Sequence, residues 1–175
     1  DKDQMYEDYL DEFYSKPISI IVPAFNEEAG IIQSVRSLLS VDYPNYEIIV
    51  VNDGSTDSTV EKMISHYEMK EVKKAVRKQV ETKPILRVFQ STLLSYLYMV
   101  DKENGGKADA LNVGVNFSHY PYICSLDGDS ILEHDAFLKV MKPIIDSNGE
   151  VIASGGSIRI ANGCEIQNGH MLKVG

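Results

Sequence analysis

A chain of 175 residues with 43% hydrophobic content is long enough to bury one sizeable core and too short for two. Seventeen basic against 26 acidic residues leave a formal charge of −9, which argues against a nucleic-acid duplex or an anionic membrane surface as the main partner. No run of eighteen apolar residues occurs and the acidic start, Asp1 to Asp11, lacks a basic-then-apolar leader pattern, so this stretch is expected to be soluble, neither spanning a membrane nor carrying an export signal.

In chain order, residues 1–16 form a lead-in, helical or irregular, in which Met5, Tyr6, Tyr9, Leu10 and Phe13 recur at helical spacing. Residues 17–175 are read as one domain. Ile18 to Val22 is a continuous β-branched run of the kind buried on both faces of a parallel sheet, and Pro23 is expected to stop it. After the loop Ala24-Phe25-Asn26, a helix carries Ile31, Ile32, Val35, Leu38 and Leu39 on one face. Glu47 to Val51 is a second strand, ending in Asn52-Asp53-Gly54-Ser55-Thr56-Asp57, with Thr56 or Asp57 as N-cap of a charged helix reaching about Val80. Strands follow at Ile85 to Phe89 and Tyr96 to Val100. The sequence Glu103-Asn104-Gly105-Gly106-Lys107 then leads into a helix over Ala108 to Phe117.

Tyr122 to Leu126 is a further strand, and it runs into Asp127-Gly128-Asp129. Residues two apart in extended chain project to one side, so the two carboxylates face one ligand together. Paired hard oxygen donors suit Mg2+ or Mn2+ with a substrate phosphate, although Asp-Gly-Asp alone also reads as a solvated turn. A helix near Asp135, bent or ended by Pro143, and short strands at Val151 to Ala153 and Ser157 to Ile160 complete the chain. The two cysteines, Cys124 and Cys164, are read as reduced thiols, since two isolated cysteines make neither a disulfide framework nor a metal cluster. His66, His119, His134 and His170 lack metal-ligand spacing and are assigned to surface or packing.

Strands alternating with helices predict an α/β fold, a mostly parallel, Rossmann-like sheet flanked by helices. Such sheets bind ligands beyond the carboxyl ends of their strands. That rule gives the polar loops a common address: Asn26 and Glu27, Asp53 to Asp57, Gly105 to Lys107, and Asp127 with Asp129 all open onto one edge. The chemistry indicated is a phosphate-bearing ligand held with a metal at Asp129, Lys107 adding a positive charge and Asp53 accepting from an imide or hydroxyl. Each piece has a plainer reading, Asp53-Gly54-Ser55 as a capped turn and Gly105-Gly106 as a flexible link with Lys107 solvated. Neither Gly-x-Ser-x-Gly nor a P-loop is present, so hydrolase and NTPase readings lack their usual support.

Taken together, Ile20 to Glu28 (IIVPAFNEE), Val50 to Asp57 (VVNDGSTD), Lys102 to Asn112 (KENGGKADALN) and Leu126 to Asp129 (LDGD) resemble the family 2 glycosyltransferases of the GT-A fold. Within that family the chain looks most like the processive membrane synthases of the poly-N-acetylglucosamine, cellulose, chitin and hyaluronan type, over about residues 17 to 165. The resemblance implies that Pro23, Ala24, Phe25, Asn26, Glu27 and Asp53 hold the nucleotide of a UDP-sugar, with Asp53 facing the uracil. It implies Lys107 near the diphosphate, Asp127 on the ribose or donor sugar and sharing in the metal site, and Asp129 on the divalent metal. Transfer would invert the anomeric carbon, with a growing polysaccharide or glycan as acceptor. The family's catalytic base and its Gln-x-x-Arg-Trp segment are expected beyond Gly175, so the resemblance implies an inactive donor-binding part, its C-terminal portion missing. The parent protein would lie in the plasma (inner) membrane with this domain on the cytoplasmic face. Two alternatives stay open, a sugar nucleotidyltransferase and a non-catalytic nucleotide-sugar or metal-binding module.

Overall fold

A computed structural model describes residues 17–40, 45–120 and 122–126 in full, together with the backbone of residues 158–159 and 165–168. The elements are β1 (Ile18–Ala24), α1 (Ile31–Leu39), β2 (Tyr46–Asp53), α2 (Thr59–Tyr67), β3 (Met69–Glu71), β4 (Ile85–Ser91), β5 (Leu97–Lys102), α3 (Lys107–Phe117), β6 (Tyr122–Ser125), β7 (Ile158–Arg159) and β8 (Glu165–Asn168). They build one sheet of order β3-β4-β5-β2-β1-β6-β8-β7. Its centre, β5-β2-β1-β6, is parallel, and both edges are antiparallel. The chain leaves β1 toward β2 and β5 on one side and returns to β6 on the other. The strand order therefore reverses between β1 and β6, where open α/β sheets hold their ligands.

Alternation along the strands divides the core in two. Ile18, Ile20, Val22, Ile48 and Val50 pack with Ile31, Val35 and Leu38 of α1 and Met63 of α2. Ile21, Ile49 and Val51 pack on the other side with Ala110, Leu111, Val113 and Phe117 of α3. At Gly114 an added Cβ would lie 2.5 Å from Cγ2 of Ile21, so helix and strand approach as closely as glycine permits.

Several expectations are corrected. Pro23 does not end the first strand; it lies inside β1, opposite Val51. The Leu126 amide donates to the Ile21 carbonyl, and backbone groups two residues apart face the same neighbour, so the proline nitrogen faces β6, whose register stops at Ile21. Pro23 thus leaves the ladder with β2 intact, and the donor it lacks is one that would have faced the Leu126 carbonyl on the β6 side. The second helix stops at Tyr67 rather than near Val80, because Glu68 takes a left-handed conformation (φ 47°) and the chain turns into β3. The Glu68 carbonyl accepts from the Thr92 amide and hydroxyl, which fixes the turn. Ser58, not Thr56 or Asp57, is the N-cap residue, although Asp57 accepts from the Thr59 amide at 3.0 Å. Cys124 is disulfide-bonded rather than reduced. The antiparallel β6–β8 pairing, which sets Cys124 opposite Ile166, brings the backbone just after Cys164 alongside it. Cys164 itself, the lead-in, the helix near Asp135 and the strand at Val151 to Ala153 lie outside the described residues. No helix among the described residues is long and apolar enough to cross a membrane.

Candidate functional site at the carboxyl edge of the parallel strands

The four parallel strands end on one edge, at Ala24, Asp53, Lys102 and Ser125, and three loops leaving it are tied together by their own side chains. The first is Pro23 to Glu28. Pro23 and Ala24 are buried in β1, whereas Phe25 is 49% exposed and Asn26 stands out with φ 51°. Asparagine tolerates this left-handed turn better than most residues, and here its side chain reaches across to the second loop. Asn26 Oδ1 accepts from the Thr56 amide (2.8 Å) and the Asp57 amide (3.3 Å), and the Asn26 amide donates to Ser55 Oγ (2.9 Å). The Glu27 amide donates to Thr59 Oγ1 at 2.9 Å. The Glu28 amide donates to Asp57 Oδ2 at 3.1 Å, and Glu28 Oε2 accepts from the Ser58 amide at 2.9 Å. Loops after β1 and β2 are thus reciprocally laced. Burial pushes the Asp57 carboxyl up, but hydrogen bonds from the Thr59 hydroxyl and the Thr59 and Glu28 amides outweigh it and hold the group below its ordinary value.

Asp53, at the end of β2, is buried and saturated. Its Oδ1 accepts from Lys102 Nζ and from the Gly105 amide (2.9 Å), and its Oδ2 accepts from the Gly106 amide (2.9 Å). Asn104 Nδ2 donates to the Asp53 carbonyl at 2.8 Å and reaches Oδ2 at 3.4 Å. Lys102, with a fully buried side chain, also pairs with Asp109 Oδ2 at 2.8 Å and donates to the Glu103 carbonyl at 2.7 Å. Asp53 therefore fastens the turn that opens α3, and Lys107 stands exposed as the first residue of that helix. The positive end of a helix and a lysine in one place suit an anion.

Of the residues singled out from sequence, Pro23 to Glu27, Asp53 and Lys107 come to one edge. Asp127 and Asp129 lie outside the described residues; in sequence they follow β6, which ends at Ser125. Among the described residues no group of three His, Cys, Asp or Glu is placed to hold a metal. Lys102, Asn104 and Asp109 were not singled out as site residues. One signal for the first was available, a lysine two residues past the apolar run from Leu97 to Val100; that it is the register partner of Asp53 emerges only in the sheet.

Known proteins share both the sequence and the architecture. Residues 19–171 match the family described as Glycosyl transferase family 2. The chain is 33% identical over 146 residues to a poly-beta-1,6-N-acetyl-D-glucosamine synthase of Staphylococcus epidermidis, covering 83% of this chain and 29% of that protein. It thus spans less than a third of the relative's length. Among solved structures, the mannosyltransferase PcManGT of Pyrobaculum calidifontis, determined with GDP-Man and Mn2+, superposes with a TM-score of 0.62 at 19% identity, over 87% of this chain and 45% of that one. TarS of S. aureus (residues 1–349), determined with UDP-GlcNAc, gives 0.53 at 23% identity, over 76% and 32%. These likenesses establish the GT-A fold, and the match across residues 19–171 establishes that the chain belongs to glycosyl transferase family 2.

Proposed function

We propose that this domain binds a UDP-sugar with a divalent metal and presents it for inverting transfer to a growing polysaccharide. The observation that carries the reading is the convergence, at one edge of the parallel strands, of the Pro23–Glu27 loop, the Asp53–Asp57 loop and the start of α3 with Lys107, beside the strand that runs into Asp127 and Asp129. In this reading the half-exposed Phe25 ring and Asp53 attend the base, and Lys107 the diphosphate. Asp129, with Asp127, would hold Mg2+ or Mn2+, since two carboxylates and a substrate phosphate are the donors these ions prefer. When bound, the metal supplies electrostatic stabilisation of the departing diphosphate. Likeness to a poly-beta-1,6-N-acetyl-D-glucosamine synthase supports a polysaccharide acceptor and makes UDP-N-acetylglucosamine the first donor to test. In the same reading the whole protein works at the cytoplasmic face of the plasma membrane, within reach of nucleotide sugars made in the cytosol.

Calorimetric titration with UDP, with and without Mn2+, tests the reading. Binding should require the metal, and Asp129→Ala should abolish that requirement together with the tight binding. Binding that ignores the metal and is unchanged by the substitution overturns the metal role.

A further inference from the structure

The buried Lys102 is more than an anchor for the fold. A carboxylate offers about four lone-pair positions. Three of those on Asp53 are taken by close donors, Lys102 Nζ, the Gly105 amide and the Gly106 amide. The fourth is held only by Asn104 Nδ2, at 3.4 Å from Oδ2, and that same amide group already has a better acceptor 2.8 Å away in the Asp53 carbonyl. A ligand donor therefore has one place to enter on Asp53, the Oδ2 position that Asn104 fills least well. The other three donors fix where that position points.

We propose that Lys102 is the positioning residue for nucleobase selection, holding Asp53 so that Oδ2 meets an imide N–H. This rests on the nucleotide-binding reading above. Uracil carries a hydrogen at its N3, which Asp53 accepts; cytosine presents a lone pair there, which a carboxylate repels. The geometry around Lys102 is over-determined. Its ammonium has three hydrogens and three acceptors, Asp53 Oδ1, Asp109 Oδ2 and the Glu103 carbonyl. Backbone gives way to let these segments meet: a Cβ at Gly54 would lie 2.7 Å from Asn104 Cβ, and one at Gly105 would lie 2.7 Å from Asp109 Oδ2. An apolar residue would continue the β5 pattern without the desolvation that an ammonium suffers. Precise aim of Asp53 is what the lysine adds.

The test compares UDP with CDP, titrated calorimetrically in Mn2+ against the wild-type chain and against Lys102→Met, Lys102→Arg and the charge-balanced Lys102→Met/Asp109→Asn. The wild type should favour UDP by about tenfold or more, the worth of one hydrogen bond to a charged acceptor. In the methionine variants the preference should collapse toward unity, and Lys102→Arg should restore part of it. A merely structural lysine would weaken both nucleotides alike and leave their ratio intact; a folded methionine variant with the wild-type ratio overturns the inference while leaving the nucleotide site standing. A wild-type chain that binds neither nucleotide overturns the functional reading and this inference with it. Should neither methionine variant fold, exchange of the Gly105 and Gly106 amide protons in the wild type decides: they should stay protected when UDP binds, and faster exchange refutes the proposal.

Discussion

The two ends of β2 each bury a carboxylate on the same face, and they use it differently. Glu47 near the amino end accepts from Ser19 Oγ (2.6 Å) and the His119 amide (2.8 Å), and contacts His119 Nδ1 at 2.7 Å. Asp53 at the carboxyl end takes Lys102 and two glycine amides. Both acids clamp α3, Glu47 just past its C-terminus and Asp53 just before its N-terminus. The difference lies in what surrounds the clamp. His119, its side chain 42% exposed, stands edge-on to Phe117, whose ring lies 5.3 Å away, and covers the buried Glu47. The Asp53 end opens onto exposed loops, with Asn104 to Lys107 all accessible. On the proposed reading, one chemical device serves architecture at one end and architecture plus ligand at the other.

Removing each acid in turn is the strongest way to break this comparison. Asp53→Ala and Glu47→Ala should each cost about 2–3 kcal/mol of stability by denaturant unfolding, because each orphans several buried donors. Only Asp53→Ala should also lower UDP affinity, by about tenfold or more. Equal loss of affinity in both variants would erase the distinction. Next in size, Gly114→Ala presses α3 off β1 midway between its clamps, where the new Cβ meets Ile21. It should cost about 1–3 kcal/mol in the same assay and weaken UDP as the Asp53 end shifts. The smallest effect concerns pH. Since the folded Asp57 carboxyl titrates below its ordinary 3.8, its contribution is complete above that value and fades as pH falls through the lower folded one. Acidification below about pH 4 should therefore loosen the Glu28 and Thr59 amides by NMR in the wild type, and Asp57→Asn, uncharged and with a single acceptor oxygen, should show the loosened state at neutral pH and no further change on acidification.

Much of this architecture is legible from residue pattern. β-Branched runs such as Ile18 to Val22 and Glu47 to Val51 have no other stable use than a buried strand, and the glycine pair before Lys107 marks a helix start correctly. The stretch after Tyr67 misleads because Met69, Val72 and Val76 recur at helical spacing. In the fold Met69 enters one core cluster while Val72 and Val76 pack against the other, and pairing with β4 wins over local preference. Pro23 misleads because its nitrogen faces β6, so the missing N–H leaves the ladder with β2 untouched. The partnership of Asp53 with Lys102 was out of reach for a different reason: 49 residues separate them, and only strand register makes them adjacent.

The clamped helix also acts as a ruler. From Glu47 to Asp53 the strand advances six residues, about 20 Å at the usual rise of ~3.3 Å. From Lys107 to Phe117 the helix advances ten residues, about 15 Å at ~1.5 Å each, and the flanking residues, back to Gly106 and on to His119, make up the rest. The two spans agree, so each acid finds its partner only when α3 has its present length. A single residue inserted into or deleted from α3 would turn everything beyond it by about 100° and force one clamp to let go. The length of the helix between Gly106 and His119 is thereby fixed.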